Sequence, residues 1–122
     1  MRVAVLADDL IWSTRLADAL RASGAEPSPV RSLGSLRDAL RDVDRVVVDL
    51  TARAYDGVEA IEVARAAGVQ VLAVGQHDDH ELRKRALAAG ADRVYAYRKL
   101  FEDGPATLGA WLALGTASGA GR

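Results

Sequence analysis

Three short runs in this chain are apolar almost throughout: Arg2 to Ala7 (RVAVLA), Arg45 to Leu50 (RVVVDL) and Val69 to Val74 (VQVLAV). A strand with one wet face alternates apolar and polar residues, whereas a strand covered on both faces does not. These runs therefore need material on both sides of the sheet they build. Helical patterns lie between them. Trp12, Leu16 and Leu20 recur at four-residue spacing within Leu10 to Ala22, and Ser23-Gly24 closes that segment. Leu33 to Arg41 reads as a short helix. Asp56 to Ala67 reads as a longer one, with Val58 and Ile61 on one face and Gly68 at its end. Asp78 to Ala89 opens with Asp78 and Glu81 in capping-box spacing and ends at Gly90. Pro105 to Leu114 is the last helical pattern, with Pro near its start.

Two further strands complete the set. Glu26 to Arg31 carries Pro27 and Pro29, which confines it to a sheet edge, because Pro donates nothing to a ladder. Arg93 to Tyr97 is a fifth strand and alternates more than the others. Five β units alternating with five helices predict a parallel α/β sheet with helices on both faces. In the doubly wound, flavodoxin-like form the strand order is 2-1-3-4-5, and sites form at the carboxyl ends of strands one and three.

The chain has 122 residues, half of them hydrophobic but only 5% aromatic. That suits one domain over residues 1–115, with a core of Leu, Val, Ile and Ala. A domain of this size buries roughly two-thirds of its unfolded surface and folds without staples. Residues 116–122 are small and Gly-rich and are expected to form a flexible tail. The net charge of -1, from 16 basic and 17 acidic residues, calls for neither nucleic acid nor an anionic membrane as partner. Cys is absent, which excludes disulfides, thiolate chemistry and Cys-ligated zinc, and fits a reducing compartment. No apolar run approaches the ~20 residues of a membrane helix. The N-terminus, MRVAVLADD, is too short in apolar residues for a secretion signal. The expectation is a cytoplasmic protein.

Asp8 and Asp9 follow the first strand, and Asp49 ends the third. One such acid alone is most often a helix cap. Three converging at the expected site repel one another, and a hard, oxygen-seeking cation such as Mg²⁺ relieves that repulsion.

From Arg2 to about Leu114 the chain resembles the response-regulator receiver domain, the phospho-acceptor module of two-component signalling. The likeness rests on Ala7-Asp8-Asp9 after strand one, Asp49 with Asp56-Gly57 seven residues on, and Gly90-Ala91-Asp92 before strand five. It implies that Asp49 is the phospho-acceptor. It also implies that Asp8, Asp49, the backbone carbonyl of Thr51 and Asp9 hold Mg²⁺. The module would act by protein contact with a histidine kinase or another signalling protein, not as an enzyme.

Several positions depart from the family pattern. The first acid of the family's pair is Ala7. The switching Ser or Thr at the end of strand four is Gly75. The Lys at the end of strand five is Tyr97, with Lys99 two residues later, and the Pro that follows it is Arg98. The Pro four residues after the acceptor is Arg53. An acyl phosphate adds about -1.5 to -2 charge. Gly75 has no side chain to meet it, and Tyr97 offers only an uncharged phenol. These losses point to an atypical, or pseudo-, receiver with an impaired switch. A conventional Mg²⁺-dependent phospho-acceptor at Asp49 is one alternative. A small ligand-binding flavodoxin-like domain is another, against which the acidic, Gly-poor turn after strand one stands.

In the family, helix 4, strand 5 and helix 5 form the output and dimer face. Here that stretch carries Tyr95, Tyr97, Phe101 and Trp111, a candidate interface if exposed together. Trp12 falls in the core stripe of the first helix. His77-Asp78-Asp79-His80 reads as a solvated loop and cap, and Arg83-Lys84-Arg85 as a solvated helix face.

Overall fold

The computed structural model describes residues 1–114. The expected tail, 116–122, and the domain boundary at 115 lie outside the described residues. The elements run β1 (Arg2–Leu6), α1 (Leu10–Ala22), β2 (Glu26–Val30), α2 (Leu33–Ala39), β3 (Arg45–Asp49) and α3 (Gly57–Ala66). They continue with β4 (Gln70–Gly75), α4 (His80–Ala89), β5 (Arg93–Ala96), α5 (Tyr97–Glu102) and α6 (Gly104–Leu112). All strand pairs are parallel, in the order β2-β1-β3-β4-β5. The Pro-bearing strand β2 lies at the edge, where the missing N–H groups cost no ladder bond.

Alternate side chains of each central strand enter opposite cores, as the two-residue period of a strand requires. Ala4, Leu6, Val46 and Val48 join Ile61 and Ala64 of α3 in one core. Val3, Val5, Val47 and Leu72 join Leu16 and Leu20 of α1 and Trp111 of α6 in the other. Both faces are covered, so the strands are apolar throughout. No described helix is long and apolar enough to cross a membrane.

The sheet order is as expected, but the chain has six helices among its described residues, not five. The expected strand Arg93 to Tyr97 stops at Ala96, and Tyr97 opens α5. Tyr97, Leu100 and Phe101 follow helical i, i+3, i+4 spacing and pack on the core beside α1. Taking Tyr97 as the end of a strand hid this period. Asp103 leaves the helical region (φ -113°, ψ 25°) and separates α5 from α6. Pro105 then occupies the first turn of α6, where its missing N–H is not needed. A second correction concerns α4, whose N-cap is Asp79, accepting from Leu82 N at 3.1 Å, not Asp78.

Arg45 is buried at the start of β3. It donates to the carbonyl of Trp111 at 3.1 Å and to that of Leu114, with its guanidinium 5.5 Å from the Trp111 ring centroid. The cation thereby closes the C-terminal end of α6 against the sheet, and those carbonyls offset part of its burial cost.

Candidate functional site

The site lies where the carboxyl ends of β1 and β3 meet. Asp49, the last residue of β3, is 0% exposed. Its Oδ1 accepts from Thr51 N at 2.8 Å and Thr51 Oγ1 at 2.7 Å, a side-chain-to-backbone turn that shapes the start of the loop. Its Oδ2 is buried and has no hydrogen-bond partner. Beneath it, the Tyr55 hydroxyl lies 2.9 Å from the Leu6 carbonyl and 2.8 Å from that of Asp49, and shares its one proton between them. Tyr55 thus ties the ends of β1 and β3 together. Burial raises its pKa far above the ordinary range, with the charges of Asp49 and Asp8 adding to the effect.

The other acids are engaged separately. Asp8 Oδ2 accepts from the amides of Arg53 and Ala54, both at 3.0 Å. Those amides, Ala54's first, hold its carboxyl below the usual range against a small opposing effect of burial. Asp9 caps α1 by accepting from Trp12 N at 3.0 Å. Asp56 caps α3, accepting from Val58 N at 2.9 Å and Glu59 N at 3.2 Å. A Cβ on the following Gly57 would stand 2.9 Å from Leu50 Cδ2 and 3.3 Å from Leu50 Cα. The Asp-Gly pair therefore seats α3 against the end of β3. Asp92 accepts from Val71 N at 2.9 Å, so its motif also serves the fold.

Mg²⁺ would need several of these oxygens turned toward one point. Among the described residues no three acidic or His side chains gather in that way. Asp8 faces loop amides, Asp9 faces the first turn of α1, and the free Oδ2 of Asp49 is buried.

Tyr97 covers this end of the sheet. Its ring stacks on Trp12 at 4.0 Å between centroids, and Phe101 lies 5.7 Å from Trp12 and 5.8 Å from Tyr97. Burial drives the Tyr97 phenol far above its ordinary pKa, and the neighbouring Asp49 carboxylate drives it further. The phenol is therefore neutral. It is near enough for a weak hydrogen bond with Asp49 to add to that shift, but neither its hydroxyl nor Asp49 Oδ2 reaches a partner in standard geometry.

Lys99 is exposed and lies 3.5 Å from Asp103, so its ammonium is engaged outside the pocket. At Gly75, the last residue of β4, a Cβ would make only ordinary contact, 3.5 Å from both Cβ and Cδ1 of Leu50. Neither space nor a positive φ demands glycine there.

Of the candidate interface residues, Trp111 is fully buried and Tyr97 nearly so, while Tyr95 and Phe101 are half-buried. The four do not form one exposed patch. Among the described residues the exposed large apolar side chains are Met1 before β1, Leu10 and Ile11 at the start of α1, and Leu87 on α4. His77, Asp78 and His80 are exposed, as are Arg83, Lys84 and Arg85. One residue beside Asp49 was not singled out from sequence. Tyr55 is an aromatic in an otherwise small and polar loop beside Asp56-Gly57, which was a usable signal. Trp12 is half-buried and packs on the core with Leu16 and Leu20 as its place in the α1 stripe implies, and it also stacks on Tyr97, which its spacing did not show.

No protein-family model matches the chain, and no curated protein matches it. Solved structures do. A receiver domain of a CheY-like response regulator from Methanospirillum hungatei JF-1 is similar at a TM-score of 0.70 and 21% identity, over 88% of this chain and 92% of that one. The receiver domain of a DNA-binding response regulator (merR) from Colwellia psychrerythraea 34H is similar at 0.80 and 19%, over 93% and 99%. A BeF3-activated DrrB receiver domain is similar at 0.80 and 18%, over 93% and 97%. The fold of this chain is that of response-regulator receiver domains.

Proposed function

We propose that the chain is a receiver-like signalling module of two-component type, acting through protein–protein contacts with an impaired phospho-switch. Asp49 carries this reading. It occupies the acceptor position at the end of β3 and is wholly buried, and the groups that would report a phosphate there are Gly75 and Tyr97. A phosphoryl group would bring about -1.5 to -2 charge against a neutral phenol. Lys99 would have to leave Asp103 to compensate. Entry of the phosphoryl group requires Tyr97 to leave its stack on Trp12. Mg²⁺ binds weakly on this account, because Asp8 must first give up the amides of Arg53 and Ala54. The partner is a signalling protein, either a histidine kinase or a second copy through the face of α4, β5 and α6, where Arg83, Lys84, Arg85 and Leu87 of α4 are exposed.

The test is intact-mass measurement after incubation with acetyl phosphate and Mg²⁺. Wild-type protein is expected to take up little phosphate, Tyr97→Ala more, and Asp49→Asn none. Stoichiometric uptake by wild type would favour a conventional acceptor instead.

A further inference from the structure

We propose that the cleft between α1 and α5 is a binding site for a planar aromatic anion. The cleft has a volume of about 430 Å³, within the range of small-molecule sites. Trp12, Tyr97 and Phe101 line it, with ring planes inclined at 14 to 28° to one another. Trp12 and Arg15 stand one turn apart on α1, and Tyr97 and Phe101 one turn apart on α5, so one face of each helix builds the wall. Trp12 and Tyr97 stack face to face, so a flat ligand would meet the outer faces and edges of this aromatic group.

Charge selects the class of ligand. The Arg15 guanidinium stands 4.3 Å from the Phe101 centroid and 5.1 Å from that of Trp12. Among the described residues it has no carboxylate within ion-pair distance. Arg98, on the same rim, is paired with Glu102 at 3.0 Å. An unpaired guanidinium above apolar rings matches a carboxylate or sulfonate on a flat body, through its planar fork of donors. The cleft has the size of a small-molecule site, whereas protein interfaces are broader.

The site reaches beyond the signalling reading. Tyr97 lines the cleft with its ring and has its hydroxyl beside Asp49. Occupancy therefore reaches the acidic pocket with no phosphoryl group involved.

The test is titration of the full chain with 2-naphthoate and its neutral counterpart 2-naphthamide, followed by amide spectra. The naphthoate is expected to shift Trp12, Arg15, Tyr97 and Phe101 and to bind about fivefold more tightly than the amide, the worth of one exposed charge pair. Arg15→Gln, at an exposed position, is expected to abolish that preference, while Arg15→Lys retains part of it. Equal binding of the two probes, a preference that survives Arg15→Gln, or no saturation at millimolar concentration would overturn the proposal. Shifts confined to exposed Leu10 and Ile11 would indicate a protein-docking surface and overturn it too.

Discussion

The Tyr97 hydroxyl lies beside the buried Asp49 carboxyl group, and neither that hydroxyl nor Asp49 Oδ2 has a hydrogen-bond partner in standard geometry. One is a neutral donor and the other a carboxylate oxygen. This pair sets both the stability and the reactivity expected of the site.

Asp49→Asn is expected to stabilise the fold. The buried Oδ2 accepts no hydrogen bond. An amide keeps the acceptor for Thr51 and offers the Tyr97 oxygen a donor. The expected gain is about 1–3 kcal/mol in urea unfolding. A loss of stability would mean that Asp49 is better satisfied than its contacts indicate.

The glycines at 57 and 75 are expected to differ. Gly75→Ala adds a Cβ in ordinary contact with Leu50 and restrains the unfolded chain, so it is expected to be neutral or to stabilise by up to about 1 kcal/mol. Gly57→Ala pushes a Cβ against Leu50 at 2.9 Å and is expected to cost about 1–3 kcal/mol. Chemical denaturation of the two variants checks the contrast.

Asp8 makes stability depend on pH. Its folded pKa lies below the unfolded value because two loop amides donate to it. Its contribution is therefore present above the unfolded pKa, near 3.9 as an approximate figure, and is lost as pH falls through the folded value. Asp8→Ala is expected to flatten that acidic part of the stability profile and leave its alkaline part unchanged, as measured by urea midpoints at successive pH values.

Arg45→Met is expected to destabilise by about 1–3 kcal/mol, since the buried Trp111 carbonyl keeps only the Leu114 amide as a donor and the Leu114 carbonyl loses its bond to Arg45. Amide exchange should show faster opening at the end of α6 than in β1 or β3. Uniform behaviour across these elements would contradict this role for Arg45.

The sheet was legible in the sequence because strands such as Val46–Val48 must be covered on both sides, whatever their neighbours. The edge position of β2 followed from its two prolines in the same way. The α5 helix was not legible, because six residues starting at Tyr97 satisfy a strand's end as well as a helix's beginning. Only the Asp103 break and the packing of Leu100 and Phe101 decide between them. At the site, the place of Asp49 at the end of β3 was legible from the apolar run it closes. The orientation of Asp8 was not, because the loop amides that hold it lie 45 and 46 residues away in sequence.

The most direct measurement is the amide spectrum of the full chain on addition of beryllofluoride and Mg²⁺, in wild type and in Gly75→Thr/Tyr97→Lys. Shifts confined to the loops around Asp49 in wild type, extending to α4 and β5 only in the double variant, are the predicted result. Shifts reaching α4 and β5 in wild type would contradict the account, because they would show a working switch without a side chain at 75 or a cation at 97.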